Sequence, residues 1–115
     1  MTDPQTALEV RRASESAAVI AVRGELTGAS ETGLTDAYSR AADAMTRKIV
    51  LDFSELDYMN STGIGLLVTL LVRAQRQRQQ LLAFGLSDHY RQILSLTRLD
   101  EAIQVVGSEA EALAA

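Results

Sequence analysis

The groups in this chain that could do chemistry are few, and their spacing limits each of them. His89 is the only histidine among 115 residues, so any nucleophile, base and orienting group would have to assemble around a residue that opens a predicted helix. Ser61 lies at a strand-loop-helix junction, where a nucleophilic serine would sit. Its frame is Asn60-Ser61-Thr62-Gly63, however, and no glycine stands two residues before it. A hydrolytic triad is therefore disfavoured, and His89 reads as a partly exposed residue that helps the first turn of its helix solvate. Asp52 ends a predicted strand as a phosphoacceptor aspartate would, but no acid pair follows the first strand. The single lysine, Lys48, starts a strand instead of ending a late one. Gly24-Glu25-Leu26-Thr27-Gly28 is followed by no lysine, and Gly63-Ile64-Gly65 lacks the third glycine of a dinucleotide fingerprint, so no phosphate cradle is expected. With no cysteine and no second histidine, thiolate zinc sites, iron-sulfur clusters, disulfides and histidine metal clusters drop out. The expectation is a non-enzyme without metal or cofactor.

What remains is Asn60-Ser61-Thr62-Gly63 as a place for a reversible phosphate. A helix amino terminus offers unpaired N–H groups and the positive end of the macrodipole, so a dianion there is tolerated by the fold. A partner docked on the same surface would meet about two new negative charges, and repulsion with desolvation would weaken the complex. Gly63 and Gly65 would keep that helix end bare for close approach. Spacing alone favours a plainer reading, in which Ser61 or Thr62 caps the helix and the glycines only permit tight packing.

The elements that must position this segment can be read from periodicity. Leu8 and Val10, then Ala17 to Val22 ending at Arg23-Gly24, predict a hairpin whose second strand is buried on both faces. Thr27 to Ser30 is a polar loop before a helix from about Glu31 to Met45, with Leu34, Ala37, Tyr38, Ala41 and Met45 on one stripe. Lys48 to Phe53 reads as a second central strand, and Ser54-Glu55 as a polar turn. Asn60 or Ser61 then caps a helix that is apolar and buried through its first turns and polar after Val72. Leu81 to Phe84, with Gly85 after it, is a third strand. Ser87 opens a helix carrying Tyr90, Ile93, Leu94 and Leu96, Ile103 to Val106 is a last strand, and Ser108 begins a terminal helix. The order ββαβαβαβα implies an α/β fold with a mostly parallel sheet and an antiparallel edge strand at its start.

Composition agrees with one domain over residues 1–115. Its core spans about 8–113, and residues 1–7, with the sole proline, Pro4, form an arm expected to be mobile; 47% of the chain is hydrophobic and 23% charged. Net charge is −4, the wrong sign for binding a nucleic-acid backbone. The first residues carry an acid and a proline where a signal peptide needs bases and an apolar run. The stretch from Ile64 to Val72 is far short of the ~20 residues a membrane span needs. With no cysteines, a reducing cytoplasmic location is expected, without membrane insertion. Arg73, Arg76 and Arg78 put positive charge at a helix carboxyl end, where it complements the dipole on a solvated face.

Taken together, AVRGELTGAS, KIVLDFSELDYMNSTGIGLLV and LLAFGLSDHYRQILSLTRLDEAIQVVGSEAEAL resemble the STAS domain family, in particular the single-domain bacterial anti-sigma factor antagonists. The middle stretch is the most specific: a buried strand, an acidic turn, an aromatic-Met pair, then a hydroxyl pair and Gly-Ile-Gly opening a helix. The resemblance implies a partner switch. The unphosphorylated chain would bind an anti-sigma factor that is also a serine kinase, with ATP and magnesium held by that partner, and so release a sigma factor. The kinase would phosphorylate Ser61, with Thr62 as the fallback acceptor, and a serine phosphatase would restore binding. The partner face would comprise Gly24, Glu25, Leu26 and Thr27 with Tyr58, Met59, Asn60, Ser61, Thr62, Gly63, Ile64 and Gly65, at the carboxyl ends of adjacent parallel strands. Two positions depart from the family pattern: Asn60 and Thr27 stand where antagonists often carry aspartate. Both changes remove negative charge near Ser61, which makes a phosphoserine easier to accommodate and also removes groups a kinase could recognise. The alternative is a constitutive STAS interaction subunit of a transporter or stress-signalling scaffold, with Ser61 never switched.

Overall fold

A computed structural model of the chain describes residues 6–115. The predicted arm falls mostly on residues 1–5, outside the described residues, whereas Thr6 and Ala7 already belong to strand β1 (Thr6–Arg12). Strand β2 (Ala17–Leu26) returns antiparallel to β1, with Leu8 opposite Val22 and Arg12 opposite Ala18. Residues 17–22 of β2 are all buried, as expected for a strand covered on both faces. β3 (Lys48–Asp52) pairs parallel with β2 and with β5 (Gln80–Phe84), and β6 (Gln104–Val105) completes the path β1-β2-β3-β5-β6.

Helices α1 (Glu31–Ala41), α2 (Ser61–Arg76) and α3 (Asp88–Leu96) all pack on one face of the sheet. Leu34, Ala37, Tyr38, Leu67, Leu70, Leu71 and Tyr90 meet Ala18, Ile20, Ile49, Leu51, Leu81 and Ala83 there. Each fully buried Leu or Ile in this layer contributes about 1.5–3 kcal/mol through its removal from water. The other face is covered by α4 (Glu109–Ala114), whose Ala112 sits on Val19, Val50 and Leu82. The one lysine has a structural task here. Lys48 Nζ donates to the carbonyls of Leu113 at 2.8 Å and Ala112 at 3.3 Å in the last turn of α4, where carbonyls outnumber backbone donors; the Ala112 carbonyl also accepts the Ala115 N–H at 3.4 Å.

The structure departs from the predicted elements at several points. A strand not expected from the sequence, β4 (Leu56–Met59), pairs parallel with residues 24–26 of β2, so the order is ββαββαβαβα. β3 and β4 form one line beside β2, broken at Phe53–Glu55, and the polar pair Ser54-Glu55 masks that continuation. Consequently β2 does not stop at Arg23-Gly24 but runs to Leu26; Gly24, at φ 82°, absorbs the register shift and its N–H donates to the Glu55 carbonyl at 3.0 Å. α1 ends at Ala41 instead of Met45 because local side chains capture the next backbone groups. Asp43 Oδ1 accepts the Met45 N–H at 2.8 Å, Thr46 Oγ1 accepts the Asp43 N–H at 3.1 Å, and Arg12 donates to the Ala41 carbonyl at 2.7 Å. Met45 is therefore exposed, as is Leu96 at the end of α3. Nor is the front half of α2 buried as a whole: a stripe of Gly63, Leu67, Leu70, Leu71 and Ala74 is, while Val68 and Val72 stand in solvent.

Candidate functional site

Two parallel strands end side by side, β2 at Leu26 and β4 at Met59, and each chain segment turns there into a capped helix. After β2, Thr27 caps a 3-10 turn at Gly28–Ser30: its Oγ1 accepts the Ala29 N–H at 3.3 Å, and Ser30 Oγ accepts the Thr27 N–H at 3.0 Å. Thr6 of β1 ties this turn down by donating to the Glu25 carbonyl and sharing a 2.6 Å hydrogen bond with Ser30 Oγ. After β4, Asn60 is extended and its Oδ1 accepts the Gly63 N–H at 2.9 Å, while its own N–H donates to the Leu26 carbonyl at 3.3 Å. Asn60, and not Ser61, is thus the cap. Ser61 becomes the first helical residue, exposed to solvent together with Thr62.

The two glycines predicted to keep the helix end bare serve different surfaces. A Cβ on Gly63 would lie 2.1 Å from the Leu26 carbonyl oxygen, so only glycine lets the first turn of α2 rest directly on the end of β2. A Cβ on Gly65 would meet nothing within 4 Å, so Gly65 leaves the outer face of the helix flat. Thr62 turns its methyl toward Gly28, where an added Cβ would stand 3.0 Å from it; this contact joins the two segments.

All the residues expected at a partner face are thereby brought to one end of the sheet, with different duties. Leu26, Met59 and Gly63 are buried and build the platform. Gly24, Glu25, Thr27, Asn60 and Ile64 are half-buried. Tyr58, Ser61, Thr62 and Gly65 are the exposed members, Tyr58 projecting with 48% of its surface in water. Because alternate residues of β4 face opposite ways, Tyr58 points out where Met59 points in.

One residue of the site gave no signal in the sequence. Tyr90, on the buried stripe of α3, accepts the Met59 N–H on its hydroxyl at 2.8 Å and so anchors the last residue before Asn60. As part of an apolar helical stripe it looks like any core aromatic. His89 beside it is exposed, its ring 4.9 Å from that of Tyr90 in an edge-on contact. Among the described residues no group of three His, Cys, Asp or Glu side chains could hold a metal ion. Arg73, expected on a solvated face, instead lays its guanidinium 4.6 Å over the ring of Tyr38. The Tyr38 hydroxyl donates to Gln79 Oε1 at 2.6 Å, and burial pushes its phenol above the ordinary tyrosine range.

Electrostatically, the amino end of α2 carries the positive end of the helix dipole. Gly63 and Ile64 give their N–H groups to Asn60, through its side chain and its carbonyl. Among the described residues no hydrogen bond takes up the N–H of Ser61 or Thr62, and both point from the positive end of the helix. Asn60 and Thr27, the two departures from the antagonist pattern, both occupy cap positions. Asparagine and threonine supply the capping oxygen an aspartate would, without its charge.

The sheet with three helices on one face is the fold of a STAS domain, and the match of a family model to most of the chain shows that it belongs to that family. A family model described as Mlab, STAS domain matches residues 10–107. Two curated relatives are anti-sigma-B factor antagonists. The one from Listeria monocytogenes is 33% identical over 61 residues, 53% of this chain and 54% of that protein, so the match spans about half the relative's length. The one from Staphylococcus aureus is 29% identical over 93 residues, 80% of this chain and 86% of the relative. Among solved structures, an anti-sigma factor antagonist from Mycobacterium paratuberculosis superposes with a TM-score of 0.80 at 18% identity, covering 99% of this chain and 97% of that one; this shares the fold. Among the described residues no helix is long and apolar enough to cross a membrane.

Proposed function

We propose that this chain is an anti-sigma factor antagonist that works as a partner switch in the cytoplasm. In its unmodified form it binds an anti-sigma factor that is also a serine kinase, and so frees a sigma factor. The observation that carries this reading is Ser61, exposed at the first position of α2, capped from outside itself by Asn60 and flanked by the flat face at Gly65. The relatedness to the two anti-sigma-B factor antagonists supports the choice of partner.

In the switch, Ser61 Oγ attacks the γ-phosphorus of ATP held with magnesium by the partner; its proton passes to a base on the partner, and ADP leaves. The chain is substrate and ligand, not catalyst. The added dianion lies near the free N–H groups of Ser61 and Thr62, so the fold keeps its stability, while the docked partner meets charge it was not built to solvate. Hydrolysis by a phosphatase restores binding. Because Asn60 does the capping, Ser61 is free to be modified without the helix losing its start.

Affinity capture from source cells with wild-type, Ser61→Ala and Ser61→Asp baits tests this. The first two baits are expected to hold an ATP-binding serine kinase and the third to lose it by at least about 10-fold. Equal capture of one partner by all three would instead identify a constitutive STAS interaction subunit of a transporter or stress-signalling scaffold.

A further inference from the structure

Among the described residues the sheet has one long free edge, the outer side of β1, and its pattern of hydrogen bonding and charge fits a particular occupant. β1 is bonded to β2 on one side and is the last strand on that end of the sheet. The phase of its bonds is set at the hairpin, where the Ala13 N–H donates to the Ala17 carbonyl at 2.9 Å. Counting back in the same register, Arg11–Val19, Glu9–Ala21 and Ala7–Arg23 are the hydrogen-bonded pairs. Gly24, opposite Thr6, sends its N–H away from β1 to Glu55, which agrees with that phase. The N–H and C=O groups of Leu8, Val10 and Arg12 therefore point outward, unpaired within the sheet. Leu8 and Val10 turn their side chains to the helix-covered face, and Glu9 and Arg11 stand exposed on the other.

We propose that this edge pairs with β1 of a second copy of the chain, antiparallel about a two-fold axis at Val10. Charge selects that register. Centring the pair on Glu9 sets two carboxylates face to face, and centring it on Arg11 does the same for two guanidinium groups. Centring it on Leu8 leaves Glu9 opposite Ala7. Only the Val10 register places Glu9 of each copy across from Arg11 of the other, twice, by the symmetry of the axis. It also lengthens an existing row of alternating charge. Within one copy Glu55 meets Arg23 at 3.5 Å and Arg23 meets Glu9 at 2.9 Å; Arg11 of the other copy, itself paired with Glu109, comes next. Leu8 and Arg12 exchange backbone bonds across the axis, as do the two Val10 residues. The sheet becomes continuous through two copies, with its free edges at the two β6 strands.

A contact of this size gives weak association, with Kd on the order of 10⁻⁴ M. Sedimentation equilibrium of the full chain from about 10 μM to about 1 mM tests it. A monomer-dimer equilibrium is expected. Val10→Pro removes an N–H that points outward and so spares the β1–β2 ladder; it is expected to be monomeric throughout. Arg11→Glu is expected to weaken the dimer at least about 10-fold, and Glu9→Arg with Arg11→Glu to recover it, which keeps the test valid should the proline variant not fold. Since the chain has no cysteine, single-cysteine variants read the register: under mild oxidation Val10→Cys is expected to cross-link more completely than Glu9→Cys. A chain that stays monomeric to about 1 mM, a dimer indifferent to the charge swap, or the reverse cross-linking order overturns the proposal. None of these outcomes depends on Ser61, so the partner switch stands or falls separately.

Discussion

At the scale of single residues, the site separates the buried residues that make the platform from the exposed ones that the proposed partner would meet, and the two glycines distinguish the roles by experiment. Gly63→Ala drives a methyl into the Leu26 carbonyl and is expected to cost about 3 kcal/mol in denaturant unfolding. Gly65→Ala meets open space and improves helix propensity, so stability should hold or rise by up to about 1 kcal/mol while partner affinity falls. Tyr90→Phe keeps the ring but leaves the buried Met59 N–H without its acceptor, and a loss of about 1–3 kcal/mol is expected, with faster amide exchange at Met59. The start of α2 was legible in the sequence because capping residue types stand directly before an apolar run; the choice of Ser61 as a modified residue came from the resemblance to the STAS family and not from spacing. Tyr90 was not legible, since its role depends on a strand it does not touch in sequence. Nor could the division of labour between Gly63 and Gly65 be read, because spacing alone does not say which side of a helix meets a carbonyl.

At the scale of elements, local side-chain chemistry overrode periodicity where the two competed. The stripe through α1 continues to Met45, yet Asp43 and Thr46 bond the backbone just after Ala41 and end the helix. Those bonds, the Met45 N–H first and the Thr46 hydroxyl second, hold the Asp43 carboxyl below the ordinary aspartate range. The stabilisation is present above the ordinary pKa, about 3.9, and is lost as pH falls through the lowered one. Protection of the Met45 amide, taken relative to its intrinsic exchange rate at each pH, should therefore fall in acid below about pH 4, and Asp43→Asn should remove that dependence. β4 escaped the sequence reading for a related reason. The strand line is interrupted by Ser54, whose N–H and hydroxyl both bond Asp52, and two polar residues in a row look like a turn between elements. The central strands and the capped starts at Ser87 and Ser108 were legible, because burial on both faces and capping oxygens leave direct marks in residue type.

At the scale of the whole molecule, the helices α1, α2 and α3 lie on one face because successive parallel strands are laid down in one direction across the sheet, each crossover having the same hand. That leaves α4 to close the opposite face with one buried alanine and a clasp from Lys48. Lys48→Met is expected to raise amide exchange throughout α4 while leaving the exposed end at Ser61 unchanged. The arrangement concentrates the strand ends, the capped turns and the unpaired helix amides at a single surface, which is what a small domain needs if one phosphate is to decide whether a partner stays. The most direct check is to recover the chain from source cells in free and partner-bound fractions and to quantify phosphate at Ser61 in each by mass spectrometry. The account predicts unmodified Ser61 in the bound fraction and phosphorylated Ser61 in the free one; unmodified Ser61 in both would contradict it.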